Sequence, residues 1–146
     1  MVTRLTGAGI IIVALLAPAT IASAQSDVPD LKGRWTGTTE VVLRSKVSEH
    51  IDPAGQTTFT TIPFTITIER QDGYRFAGTW ASARATDPLI GNVRSDRKRL
   101  HMVDNDGTLT GELLEPDKME VCRTEVAPDS MAVICGIFTR EREVRP

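Results

Sequence analysis

Two histidines, two cysteines and a few charged and aromatic side chains carry whatever chemistry this chain of 146 residues can perform. His50 and His101 stand far apart, and neither has a serine or cysteine beside it in a nucleophile motif. Both read as surface histidines, so no catalytic residue is expected and the chain reads as a non-enzyme. The run Asp104-Asn105-Asp106-Gly107 lacks the ligand spacing of a calcium loop, and a hairpin turn accounts for it; no metal and no cofactor are expected. Cys122 and Cys135 are too few for a metal cage and suit a disulfide. What remains is recognition. A small-molecule pocket needs mostly apolar walls and a few polar groups to orient its guest, and Tyr74, Phe76, Trp80 and Arg123 are the candidate ligand set. Arg123 and Glu125 join it on condition that Val121 faces inward. The other reading of the same residues is a packed core with a rim ion pair, since a barrel of eight strands can either be filled or hold one small ligand.

The elements that must position these groups begin after a leader. Residues 1–24 carry Arg4, no acidic residue, an apolar run from about Ala8 to Ala19 and the small triplet Ala22-Ser23-Ala24, the pattern of a cleaved signal peptide. The apolar run is shorter than the roughly 20 residues a spanning helix needs, and Pro18 interrupts its end, so no membrane span is expected. Export to the periplasm or beyond follows, and it places the two cysteines where a disulfide persists. Cleavage leaves 122 residues with 16 basic and 19 acidic side chains, a net charge of −3. That length suits one domain. The mild acidity argues against a nucleic-acid partner, and it favours reading the basic tip Arg94-Ser95-Asp96-Arg97-Lys98-Arg99 as a solvated turn over an anion-binding patch. The expected organisation is a signal peptide (1–24), an N-terminal arm (25–32) and a single β-barrel domain (33–142).

Beyond the leader, Val, Ile, Thr and aromatic residues alternate with polar ones, and no helical periodicity competes. Turn signals at 52–56, 71–73, 83–88, 95–98, 105–107, 115–118 and 127–130 separate eight strands. A three-residue loop over 71–73, with Gly73 at positive φ, sets Ile68 opposite Phe76, Ile66 opposite Gly78 and Phe64 opposite Trp80. Tyr74 then lies on the same inner face. A two-residue Asp106-Gly107 turn puts Leu100 and Met102 on the face of Leu109, Gly111 and Leu113, with His101 outside opposite Glu112. Val93 and Gly91 oppose Leu100 and Met102 across the basic tip. The inner face repeatedly carries a mid-strand glycine, at Gly37, Gly78, Gly91, Gly111 and Gly136, which predicts strong coiling or close approach of a bulky neighbour. The hairpin centred on Pro128 and Asp129 sets Cys122 directly opposite Cys135, within reach of a disulfide on the outer face; a four-residue loop is the expected connection.

The fold expected is therefore all-β, an eight-stranded antiparallel up-and-down (meander) barrel, whose closure removes the exposed edges of an open sheet. Closure brings Gly33-Arg34-Trp35 against the end of the last strand and sets Arg140 over Trp35 as a structural pair at the barrel end. Gly33-x-Trp35 after a short Leu-Lys lead-in, with an arginine ending the last strand, resembles the calycin superfamily, which contains the lipocalins and avidins. The resemblance implies this barrel with the Trp and Arg packed across its closed end. The Trp35-Thr36-Gly37 context lacks the asparagine that follows the corresponding tryptophan in avidins, so biotin binding is not implied. Small periplasmic inhibitors of bacterial metalloproteases are similar in size, export and barrel plan. Three functions are thus in view: a barrel that binds a small apolar or amphipathic ligand, and as alternatives a protein-binding module, such as a periplasmic protease inhibitor, acting through residues 25–32 or its loops, or a structural envelope protein with a filled barrel.

Overall fold

The computed structural model describes residues 28–45 and 57–141. The expected signal peptide (1–24), residues 25–27 of the expected arm, His50, the expected turn at 52–56 and the expected boundary at 142 lie outside the described residues. Eight strands follow in order: β1 (Gly33–Ser45), β2 (Thr57–Asp72), β3 (Arg75–Ala81), β4 (Thr86–Val93), β5 (Arg99–Val103), β6 (Gly107–Glu115), β7 (Lys118–Ala127) and β8 (Ser130–Arg140). Each pairs antiparallel with the next, and β1 also pairs with β8, so the sheet closes into an up-and-down barrel.

Period-two alternation produces it. Along β5 exposure and burial alternate residue by residue, and β4 and β7 follow the same rhythm over most of their length. The inward set includes Trp35, Phe64, Ile66, Trp80, Leu109 and Phe138, all essentially free of solvent contact. Burying a side chain of this size contributes about 1.5–3 kcal/mol. The mid-strand glycines sit where the wall is pressed from outside the strand: a Cβ added at Gly78 would meet the Thr67 carbonyl oxygen at 1.8 Å.

Registers agree with expectation in two hairpins and differ by two residues in two others. Val93 pairs with Leu100 and Gly91 with Met102. Cys122 pairs with Cys135 and is joined to it by a disulfide, with Cα atoms 4.1 Å apart. The ladder there continues to Ala127 and Ser130, one pair closer to the turn than a four-residue loop allows. In the β2–β3 hairpin the turn is Gly73-Tyr74, Gly73 has φ 57°, and a bulge separates Ile68 from Arg70. The pairs are consequently Ile66 with Trp80 and Ile68 with Gly78. The bulge supplies the extra residue that reconciles a two-residue turn with one apolar face. In the β5–β6 hairpin Leu100 opposes Gly111 and Met102 opposes Leu109, so His101 faces Thr110 and not Glu112. A slip of two leaves every side chain on its own face. One turn is shorter than the sequence indicates: Ser82 closes on Ala85 (2.9 Å), and Thr86, Asp87 and Pro88 already belong to β4.

The arm is docked over its described part. Leu31 is fully buried, its amide donates to the Gln71 side-chain oxygen (2.7 Å), and Gln71 Nε2 donates to the Pro29 carbonyl (2.9 Å). Residues 28–32 thus form a plug across one end of the barrel.

Candidate functional site

The closed end gathers the start of β1, the turn at 73–74 and the end of β8. Trp35 pairs with Arg140 in the ladder, and the guanidinium carbon lies 4.4 Å from the indole ring centroid. Trp35 Nε1 donates to the Leu31 carbonyl at 2.9 Å, so its one polar group is satisfied. Arg140 Nη2 donates to the carbonyls of Asp30 and Pro116, while Nε lies 3.3 Å from the Asp117 carboxylate without the alignment of a hydrogen bond. This end is a structural seal.

The opposite end, the mouth, is framed by the end of β1, the start of β2 and the turns at 82–85, 104–106 and 128–129. Here Val121 and Arg123 face inward and are buried, which meets the condition set for Arg123 and Glu125. Arg123 Nε donates to Asp104 Oδ2 (2.6 Å) and Nη2 to Asp104 Oδ1 (3.3 Å). Nη1 donates to Glu125 Oε2 (2.9 Å), and Nη2 also reaches Asp106. Ser130 Oγ donates to the other oxygen of Glu125 at 2.6 Å. Gly107 makes room for this fork: a Cβ there would meet Arg123 Cζ at 2.9 Å. Burial works against the Arg123 charge, but the bonds to Asp104 and Glu125 outweigh it and hold its pKa above the ordinary arginine value. Burial pushes the Asp106 carboxyl up; the nearby Arg123 opposes that shift and Glu125 and Asp104 add to it. One cation thus sits among three carboxylates, and each of its nitrogens already faces one of them.

Trp80 is the last inward residue of β3 before the mouth, paired with Ile66 on one side and Asp87 on the other. Its ring stacks on Phe64 at 4.4 Å between centroids, and Phe138 tilts against it at 5.7 Å. Its indole Nε1 is buried and has no hydrogen-bond partner among the described residues. Asp87, beside it, is buried and accepts from Asn105 Nδ2 at 3.2 Å.

Of the four residues taken as a ligand set, the fold brings Trp80 and Arg123 to the mouth. Phe76 is buried toward the closed end, opposite Gly91 and Gln71. Tyr74 is corrected: it occupies the β2–β3 turn and is 40% exposed, because the bulge moved the turn onto it. Several hollows open on the outer wall. One groove of about 690 Å³ is lined by Arg34, Thr36, Thr38, Thr65, Thr67 and Thr79. His101 is exposed on that wall. At the basic tip Asp96 accepts from the Arg99 and Lys98 amides and from Arg99 Nε, which holds its carboxyl well below the usual carboxylate range.

Sequence reasoning missed Asp104, Asp106, Ser130 and the Gln71 clamp. The signal for the first two lay in the β6–β7 register, which pairs Gly107 with Glu125 and Leu109 with Arg123 and so carries the 104–106 turn over the guanidinium. No protein-family model and no curated protein matches the chain. Solved structures similar to it include a redesigned β-barrel, 13% identical, covering 77% of this chain and 92% of that one with a TM-score of 0.44, and the S-type phycobiliprotein lyase of Guillardia theta, 9% identical, covering 77% and 89% with a TM-score of 0.36.

Proposed function

We propose that the protein is an exported, non-enzymatic barrel of calycin type that takes one small apolar or amphipathic ligand at its mouth, against Trp80. The observation that carries this reading is the Trp80 indole N–H, buried with no acceptor among the described residues. A buried donor left unpaired costs about 1–3 kcal/mol, and a ligand acceptor placed over it recovers that cost. The surrounding wall of Phe64, Phe138 and Ile66 suits an apolar body. Arg123 acts as a positioning residue in this reading, because its nitrogens are engaged by Asp104, Asp106 and Glu125. The Trp35–Arg140 stack supports the calycin-type plan, and the Cys122–Cys135 disulfide supports a periplasmic or secreted location.

Titration with the apolar fluorophore N-phenyl-1-naphthylamine, followed by the indole N–H resonances, tests it. Saturable fluorescence gain with a shift of the Trp80 resonance alone is expected; Trp35, bonded to Leu31 at the far end, is the internal control. An unmoved Trp80 resonance overturns the reading. A second reading, a protein-binding module such as a periplasmic protease inhibitor or a structural envelope protein, draws support from the stacked interior and from the exposed apolar side chains of the outer wall. Its contact would run through loops or wall, because the described arm residues pack on the barrel.

A further inference from the structure

The β2–β3 ladder begins only at Thr65 and Ala81, whereas β2 starts at Thr57 and pairs with β1 along its whole early length. Among the described residues, nothing therefore pairs with 57–63 on the side away from β1. Pro63 lies opposite Thr38 in the β1 ladder and has no N–H, which places its nitrogen on the free side. The Ile62 carbonyl, by contrast, faces β1 and accepts from Thr39 Oγ1 at 2.9 Å. Backbone groups alternate sides along a strand, so Thr57, Phe59 and Thr61 present their N–H and C=O groups to the open edge.

This edge has the hallmarks of a surface that pairs. It carries no charged residue from Thr57 to Ile68, although charges are the usual guard on an exposed edge. Phe59, at its centre, is 77% exposed. The edge also reads the same in both directions: Thr57-Thr58-Phe59-Thr60-Thr61 is a palindrome about Phe59. Antiparallel pairing with an identical strand puts Phe59 against Phe59 and Thr57 against Thr61, and it stops before the donor that Pro63 lacks.

We propose that a second copy of this chain occupies the edge, joining two barrels through β2 about a two-fold axis at Phe59. Such an interface is isologous, the same patch on both copies. Across it, the outward row Val133-Val42-Phe59 of one copy continues into Phe59-Val42-Val133 of the other, since these residues are cross-strand neighbours and all exposed. The next row supports the same occupant. Arg44 flanks Thr57 and Glu40 flanks Thr61, so the two-fold lines up Arg44 of one copy with Glu40 of the other and opposes no like charges. Cross-strand aromatic and threonine pairs are the favourable contacts of such a ladder.

Sedimentation velocity on the disulfide-intact chain from residue 25 is expected to show a concentration-dependent dimer. Phe59→Lys sets two ammonium groups face to face and is expected to leave only monomer; the site is solvent-exposed, and an unchanged far-ultraviolet spectrum checks the fold. Phe59→Cys is expected to yield a 59–59 linked dimer under mild oxidation, identified by peptide mass, while Thr124→Cys on the outer face of β7 does not cross-link. A wild-type chain that stays monomeric, a dimer that survives Phe59→Lys, or the absence of a 59–59 link overturns the proposal. So does a monomer that adds a synthetic extended peptide in place of its twin.

Discussion

An arginine finishes each end of this barrel, and the two are held by opposite means. Arg140 lies over an indole face and donates to backbone carbonyls, with one carboxylate, Asp117, nearby. Arg123 is buried among three carboxylates from two different hairpins. The first arrangement leaves little charge to neutralise, so the seal around Trp35 depends on packing and hydrogen bonds. The second is held by mutual dependence: each ion is tolerable only while the others are present, because a buried charge stripped of its partner is far costlier than the intact pair is stabilising. Packing seals one end, and charge organises the other.

The sharpest way to break that contrast is to remove each arginine in turn. Arg123→Leu strands Asp104, which is fully buried, and Glu125, and is expected to lower unfolding free energy by about 3–5 kcal/mol in urea melts. Gly107→Ala presses a methyl group against the Arg123 guanidinium and is expected to cost about 1–3 kcal/mol by the same measurement. Arg140→Leu removes the cation from the Trp35 ring but retains an apolar stem, for an expected loss of about 1–2 kcal/mol. Equal losses for the two arginines would erase the distinction between the ends.

The smallest effect concerns pH. The folded state raises the Asp106 pKa, chiefly through burial, so the protonated form fits the fold better. Its contribution is most favourable at acid pH, below the unfolded value, and is lost as pH rises through the folded value. Asp106→Asn is therefore expected to stabilise at neutral pH and to lose that advantage in acid, where the wild-type carboxyl is already protonated. Asp106 is 47% exposed, which limits the gain to about a few tenths of a kcal/mol. Urea midpoints at the two pH values check the sign; a variant less stable at neutral pH would mean that attraction to Arg123 outweighs burial.

Much of the wall was legible because side-chain parity survives errors of register. Ile66 and Ile68 face inward whether they oppose Gly78 and Phe76 or Trp80 and Gly78, and Leu100 faces inward opposite Gly111. Cys122 and Cys135 could be paired because a short turn leaves them directly across from each other. Tyr74 was misplaced for a local reason: a bulge at Glu69 absorbs one residue and moves the turn, and nothing in "ERQDGY" marks a bulge. The mouth was half legible. Arg123 and Glu125 continue the inward face of Met119 and Val121 on one strand, but Asp104 and Asp106 reach Arg123 from 17 to 19 residues away through a register that the turn at 115–118 left open. Gln71 looked like turn filler; its amide is matched to the backbone of an arm whose path no periodicity encodes.

The seal at the closed end also has a bearing on the order of events during synthesis. Trp35 and Arg140 meet only when β8 lies beside β1, and Arg140 reaches the Asp30 carbonyl across 110 positions of sequence. A chain still emerging from its N-terminus can form hairpins, but it has nothing with which to finish its first strand. Closure must wait for β8, and contacts of such separation slow folding. Until then β1 keeps one side unpaired, so the interval between emergence and closure is when the chain most needs protection from pairing with a neighbour.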